Sequence, residues 1–501
     1  MRGRIRACRG WGLFATEETE HGYTQHSILA PPPPVNSSAL NFPRVRQAVF
    51  GLFVAVALVS PGLAQASGAV AQERVLANGL KVLVKEDRRA PTVVHLIVYR
   101  AGSIDEVNGR TGVAHALEHM MFKGTRTVPS GEFSRRVAAM GGRENAFTTR
   151  DYTGYFQQIP SKRLAEVMAL EADRMTNLVL SAEAFATERE VVIEERRLRT
   201  EDRARARVFE QLMAVAFTAS PTRQPVIGWM SDLQSMTVPD LDEWYRTWYA
   251  PGNATLVVVG DVSATDVFAL AERHYGAIAP RALPARKPQD EPQQMGMRSA
   301  VVKAPAETAF LLMGFRVPRL ERIDGSIEPY ALEMLSEVLA GDENGRFTRE
   351  LVRQQRIADS AGAGYGLTGR GPGLFTLSGV PAAGRTVAEV QKALREQVAR
   401  VAADGVDERE LERIRIGYVA SRVYQRDSLM SQAMELAGLE MSGLSHADAD
   451  RLLERVRAVT SEDVKAVAAR YFGDDGLTVV TLDPQPLSGA RPAQRGFSGR
   501  H

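Results

Sequence analysis

The chain has 501 residues, 44% of them apolar and 24% charged, with a formal net charge of +2. That composition suits globular packing in more than one domain, and so balanced a charge offers no field to hold nucleic acid. The single cysteine, Cys8, excludes a disulfide framework and leaves no thiol nucleophile beyond the N-terminal stretch.

In chain order, "RVRQAVFGLFVAVALVSPGLAQA" comes first. It has a basic start, an apolar run from Ala48 to Val59, and a small-residue end at Ala64-Gln65-Ala66. This is the layout of a secretory signal over about 44–66, cleaved after Ala66, and it implies a periplasmic or secreted protein. The run falls short of the roughly 20 residues a spanning helix needs, so no permanent membrane span is expected. No cysteine follows it to carry a lipid anchor. Residues 1–66 are read as leader, with the true start expected near Val45.

"RVLANGLKVLVKED" and "TVVHLIVYRAGS" then read as β-strands, the first bent at the Asn78-Gly79 turn. A helical pattern follows through "GVAHALEHMMFKGT". Leu164, Val167, Met168, Met175 and Leu178 recur at helical spacing, and a long charged helix begins near Ser181. The strand "NATLVVVGDV" closes this half. Residues 283–299 are polar and Pro-rich, and read as an interdomain linker.

The second half repeats the first. "MTVPDLDEWYRTWYAPGNATLVVV" (236–259) lies on "VTSEDVKAVAARYFGDDGLTVVTL" (459–482) without a gap. "ALEHMMF" at 116 lies on "ALEMLSE" at 331, and "EREV" at 188 on "EREL" at 408. Three matches in one order predict an α+β fold of two homologous domains, 67–282 and 300–485. Each is an antiparallel-rich sheet packed with helices, and internal duplication relates the two. Residues 486–501 are expected to form a disordered tail.

On a helix, His115 and His119 point about 40° apart, and Glu118 about 60° to the other side of His115. Two imidazoles could grip one ion on that arc while the carboxylate faces a water. A catalytic zinc would need a third protein ligand and an open fourth position. "TEREVVIEERRLRTED" can supply it: Glu188 and Glu195 are seven residues apart on one helix face. On these residues alone the alternatives stay open. The histidines can be ordinary polar residues of a helix, and alternating charges usually mark a solvated face.

The inverted H-x-x-E-H, followed some 75 residues later by E-R-x-x-V-x-x-E, resembles the insulinase/pitrilysin family of zinc peptidases. The layout is similar to the mitochondrial processing peptidase-like members. "LANGLKVLVKED", "AGSIDE", "GGRENAFTTRDYTGYF", "LEADRM" and "PVIGWMSDLQSM" follow in the same order. The resemblance implies one zinc ion bound by His115, His119 and Glu195, with Glu118 as general base. It makes Glu188 a supporting catalytic glutamate that orients the site. It implies a peptide substrate lying along an edge strand at Asn145, Ala146 and Phe147, with 67–282 as the catalytic domain.

The second copy lacks the ligands. By the repeat alignment His115 meets Tyr330, His119 meets Met334 and Glu195 meets Arg415, so 300–485 is expected to be an inactive wall of a substrate chamber. The family also pairs an arginine with a tyrosine seven residues later to hold substrate. Arg353 fits the first position, but Ser360 stands at the second, and Tyr365 is displaced by five residues. The histidine that precedes proline ahead of "PVIG" is absent too, replaced by Ser220. A related subunit lacking the zinc motif is therefore the expected partner, in a heterodimer, or else a homodimer. The alternatives to a peptidase are a noncatalytic scaffold and a peptide-trapping subunit.

Overall fold

The computed structural model describes residues 70–487. The expected leader, Cys8 and most of the expected tail lie outside them. The first half runs β1 (Gln72–Val75), β2 (Lys81–Glu86), β3 (Thr92–Tyr99), α1 (Val113–Met120), α2 (Glu132–Ala139), β4 (Arg143–Thr148) and β5 (Thr153–Pro160). It continues through α3 (Leu164–Asn177), α4 (Ala182–Arg196), α5 (Ala204–Ala216), α6 (Met230–Ser235), α7 (Val238–Trp248), β6 (Ala254–Gly260) and α8 (Ala264–Tyr275). The second half begins with β7 (Arg298–Pro305), β8 (Phe310–Val317), α9 (Glu328–Ala340), β9 (Ala358–Tyr365) and β10 (Gly373–Pro381). It ends with α10 (Val387–Asp404), α11 (Glu408–Gln425), α12 (Leu429–Met441), α13 (Ala449–Arg457), α14 (Ser461–Tyr471) and β11 (Leu477–Gln485).

Each half builds one mixed sheet. The first is ordered β1-β2-β6-β3-β5-β4 and the second β7-β11-β8-β10-β9. Removing β1 leaves the same order, and in both sheets a single parallel pair, β2 with β6 or β7 with β11, stands among antiparallel neighbours. The fold is α+β in two homologous halves. Asn78-Gly79 makes the turn between β1 and β2. Gly79 takes a left-handed φ of 89°, and the Asn78 side chain donates to the Tyr275 carbonyl (2.7 Å).

Strand alternation decides what each sheet face meets. Val82, Val84, Val93, Ile97, Leu256 and Val258 face α1, α3, α7 and α8 in the first core. Leu83, Val94, Leu96, Val98, Val257 and Val259 point the other way, onto Ala433, Leu436, Ala437 and Met441 of α12, a helix of the second half. The reverse holds as well. Val208 and Leu212 of α5 lie on Ala304, Leu312, Val480 and Leu482 of the second sheet. The halves thus exchange equivalent helices, each covering its partner's outer sheet face.

The segment between α8 and β7 is a fastened strap. Arg286 pairs with Asp105 (2.8 Å) and lies over the Trp248 ring. Glu291 accepts from the backbone of Thr218, Ala219 and Ser220, and Gln294 donates to the Leu477 carbonyl. The polar, Pro-rich composition expected of a linker is real, but its carboxylate, amide and guanidinium groups tie it to both halves.

Candidate metal centre

The helix that carries the histidines is short and is fixed at its N-terminus by three distant motifs. Gly112 starts α1 with φ 85°, a conformation that L side chains rarely adopt. A Cβ there would stand 2.6 Å from the Ile227 carbonyl of "PVIG" and 2.9 Å from Gly228 Cα. Glu106, the last residue of "AGSIDE", accepts from the Gly112 and Ala114 backbone (2.8 and 2.9 Å), satisfying free helix N–H groups. Asp232 accepts from the Thr111 hydroxyl (2.6 Å). The position of α1 is therefore set from outside itself.

His115 and His119 project from one face of α1 with ring centroids 4.8 Å apart. α4, capped by the Ser181 side chain on the Ala184 N–H, brings Glu195 against them. Glu195 Oε2 lies 3.6 Å from His115 Nε2 and 3.3 Å from His119 Nε2. That oxygen is buried and makes no hydrogen bond of good geometry. Tetrahedral zinc with bonds of about 2.0–2.1 Å places two donors about 3.3 Å apart. Two ring nitrogens and a carboxylate oxygen at these separations fit that ion.

The electrostatics differ among the donors. Burial, helped by His119, pushes His115 down to about 3, keeping it the neutral imidazole that binds metal. Burial opposes charge on both His119 and Glu195, but the Glu188 and Glu195 carboxylates outweigh it at His119, and the neighbouring His119, His115 and Arg199 outweigh it at Glu195. His119 rises to about 9 and Glu195 falls to about 2. Glu188 Oε2 stands 3.3 Å from His119 Nδ1 while Lys123 holds its other oxygen (2.5 Å), so it orients the ring from behind.

Several participants carry no sequence signal of their own. Thr148, on β4, donates to Glu118 Oε2 (2.5 Å) and fixes that carboxylate. Arg199, in a π-helical turn after α4, pairs with Glu195 Oε1 (2.9 Å). Lys123 has the same standing. The signal that could have found Thr148 is strand parity: it shares a face with Glu144 and Ala146.

β4 pairs only with β5, so it is an edge strand. The Ala146 N–H points to the open side, where the Asn145 side chain accepts it (2.9 Å). Phe147 turns to the opposite sheet face, edge-on to Tyr152. Arg353 has no contact with these groups; it is exposed and pairs with Glu343. Tyr365 donates to the Pro318 carbonyl (2.6 Å) and stacks on Phe375. Five residues is an odd interval on β9, so it faces away from the side Ser360 presents.

Two models match the chain: Insulinase (Peptidase family M16) over 81–228 and Peptidase M16 inactive domain over 235–418. Zinc protease PqqE of Helicobacter pylori is 31% identical over 419 residues, spanning 82% of this chain and 92% of its own. The chain belongs to the insulinase family, peptidase family M16. A solved protease from Helicobacter pylori matches this M16 chain with TM-score 0.79 and 28% identity, over 83% of the chain and all of that structure. The periplasmic protease PqqL of Escherichia coli shares the fold (TM-score 0.71, 19% identity), over 83% of this chain and 48% of its own.

One pairing within this M16 chain needs correcting. The match of "EREV" to "EREL" set Glu195 against Arg415. Aligning α4 and α11 by their N-caps instead sets Ser181 on Asp407. Buried Phe185, Val192 and Ile193 then meet buried Leu411, Tyr418 and Val419. Glu195 falls on Ser421 and Glu188 on Ile414. The four-letter match lost to the burial pattern because packing, not charge, sets helix register. The second half still lacks all three donors, with Tyr330 and Met334 buried in its core.

Proposed function

We propose that this chain is a zinc-dependent endopeptidase acting on peptides or unfolded polypeptide segments, with one ion held by His115, His119 and Glu195. The observation that carries this reading is the convergence of three donors, two ring nitrogens lying 3.6 and 3.3 Å from the Glu195 oxygen, beside the anchored Glu118 carboxylate. Bound zinc would supply Lewis acidity to the scissile carbonyl and make a water acidic near neutral pH. Glu118, one residue from His119 and held by Thr148, takes the proton of the attacking water and returns it to the leaving amine. Glu188 keeps the His119 ring in place. A peptide adding to β4 at Asn145, Ala146 and Phe147 takes over the Ala146 N–H from the Asn145 side chain.

The second half serves as a metal-free wall of the substrate chamber. Arg353 lies outside the first-half site, and Ser360 stands where the family carries tyrosine. A related subunit without the zinc motif, in a heterodimer, completes the site; a homodimer would supply no such tyrosine. The leader pattern supports export to the periplasm, the compartment of the Escherichia coli protease PqqL.

The test is metal analysis of the purified chain combined with cleavage of a quenched peptide, alone and with a candidate partner. One zinc per chain is expected, with cleavage abolished in Glu118→Gln and metal retained. Absence of bound zinc would favour the scaffold, and zinc without turnover in every mixture a peptide trap, the reading that Ser360 favours.

A further inference from the structure

α11 buries one face in the second core through Leu411, Ile414, Tyr418 and Val419. Its opposite face is exposed, yet apolar. Ile416 is 61% exposed, Val423 48% and Tyr424 73%, with exposed Gly417 and half-buried Ala420 among them. At about 100° per residue these five lie on one arc of about 120°, over a length of about 12 Å. A helix on a protein surface ordinarily turns charged and polar residues outward, and contiguous exposed apolar residues mark interaction sites. At the aligned positions of α4 stand Glu190, Val191, Glu194, Arg197 and Leu198, three of them charged. The duplication therefore does not account for the stripe.

Gly417 is its most informative member. Glycine inside a helix costs stability relative to alanine. No described residue offsets that cost, since a Cβ there would meet no atom within 4 Å. The stripe is also symmetric about Ala420. Ile416 and Tyr424 stand four positions to either side of it, and Gly417 and Val423 three. When two such helices cross antiparallel at Ala420, Ile416 of each copy meets Tyr424 of the other. Val423 of each enters the gap over Gly417 of the other. Arg413 and Asp427, seven positions to either side, bring opposite charges together at both ends. Both are exposed, and within the chain they hold only surface pairs, Arg413 with Asp342 (3.1 Å) and Asp427 with Arg89 (3.0 Å).

We propose that α11 is a self-docking helix that joins two copies of this chain about a two-fold axis passing by Ala420. A two-fold interface uses the same patch on both copies and must be self-complementary. Large residues opposite small ones, with opposite charges at mirrored positions, meet that condition. The stripe is small beside the roughly 20–30 residues a side of a stable interface, so association in the micromolar range is expected. This pairing goes beyond the peptidase reading and does not rest on it. It brings no tyrosine to the metal centre, and it is separate from the subunit proposed to complete that site.

Sedimentation velocity of the purified chain from about 1 to 100 μM tests it. A concentration-dependent dimer is expected. Gly417→Gln fills the gap with a good helix former, and Tyr424→Glu puts a charge into the contact. Each should weaken the dimer about tenfold or more, because every change acts twice across the axis. Both positions are exposed, so urea midpoints should stay unchanged; where one variant loses stability, the other decides. Geometry is read separately in a Cys8→Ser background. Ala420→Cys should form a disulfide with its own copy under mild oxidation, because a residue near the axis has its Cα within about 7 Å of its equivalent. Lys392→Cys, exposed on α10, should not. A chain monomeric throughout, a dimer indifferent to both variants, no cross-link at position 420, or as much at 392, overturns the proposal. So does a monomeric chain that binds a candidate related subunit through an intact Tyr424, which would give the stripe to that subunit.

Discussion

Glu188 shows how much of a metal centre lies behind its donors. Its carboxylate bridges His119 Nδ1 and the Lys123 ammonium, so it fixes the ring without facing the ion. Substituting Glu188→Gln keeps the shape and removes the charge. Zinc affinity should fall about 10- to 100-fold, the usual cost of losing such a partner, measured by competition with a fluorescent chelator. An unchanged affinity would show that the α1 backbone alone orients His119. Thr148 makes a second case. Thr148→Val should lower kcat with zinc content unchanged, and Thr148→Ser, which restores the hydroxyl, should recover most of it. Equal loss in both variants would mean that Glu118 does not depend on that bond.

At the scale of elements, α1 is eight residues long, too short to be stable by propensity alone. It holds its place because Glu106, Asp232 and the Gly112–Gly228 contact clamp its first turn. Gly112→Ala forces a side chain into a left-handed residue and against the Ile227 carbonyl. It should destabilise the chain by about 2 kcal/mol or more and weaken zinc binding with it, read by urea unfolding with and without metal. A variant as stable as the parent would mean that the loop of residues 225–228 can withdraw. The same clamps explain why "AGSIDE" and "PVIG", which hold no ligand, accompany the histidine motif in the sequence.

At the scale of the molecule, the exchanged helices α5 and α12 make the stability of each half depend on the other. Leu436→Ala, on the first sheet's outer face, should cost about 2–5 kcal/mol. Calorimetry of that variant should still show one transition, and two separated transitions would contradict the mutual coverage. The same junction carries a polar link, with Glu440 of α12 receiving Lys81 of β2 (2.7 Å) and His446 (2.8 Å), and Glu73 of β1 facing both groups. Burial would raise Glu440, but bonds from His446 and Lys81 prevail and hold it at about 2, against an ordinary 4.5. A depressed carboxylate contributes its full stability above the unfolded value and loses it as pH falls toward the folded one. The link should therefore weaken between about pH 4.5 and 2. Glu440→Gln should be less stable at neutral pH and should lose the part of the acid dependence that Glu440 causes.

Much of this was legible in the sequence because it is local. Residue identity and the helical repeat put His115, Glu118 and His119 on one arc, the Asn-Gly pair made its turn, and the duplicated stretch at 236 and 459 gave two like halves. The tertiary structure decided whatever needed contacts between distant segments. It chose Glu195 over its acidic neighbours, aimed Thr148 at Glu118, set the α4–α11 register by burial, and swapped α5 and α12 across the halves. Spacing along a chain fixes directions within one element, whereas which elements meet depends on the apolar faces that must be covered, and those lie hundreds of residues apart.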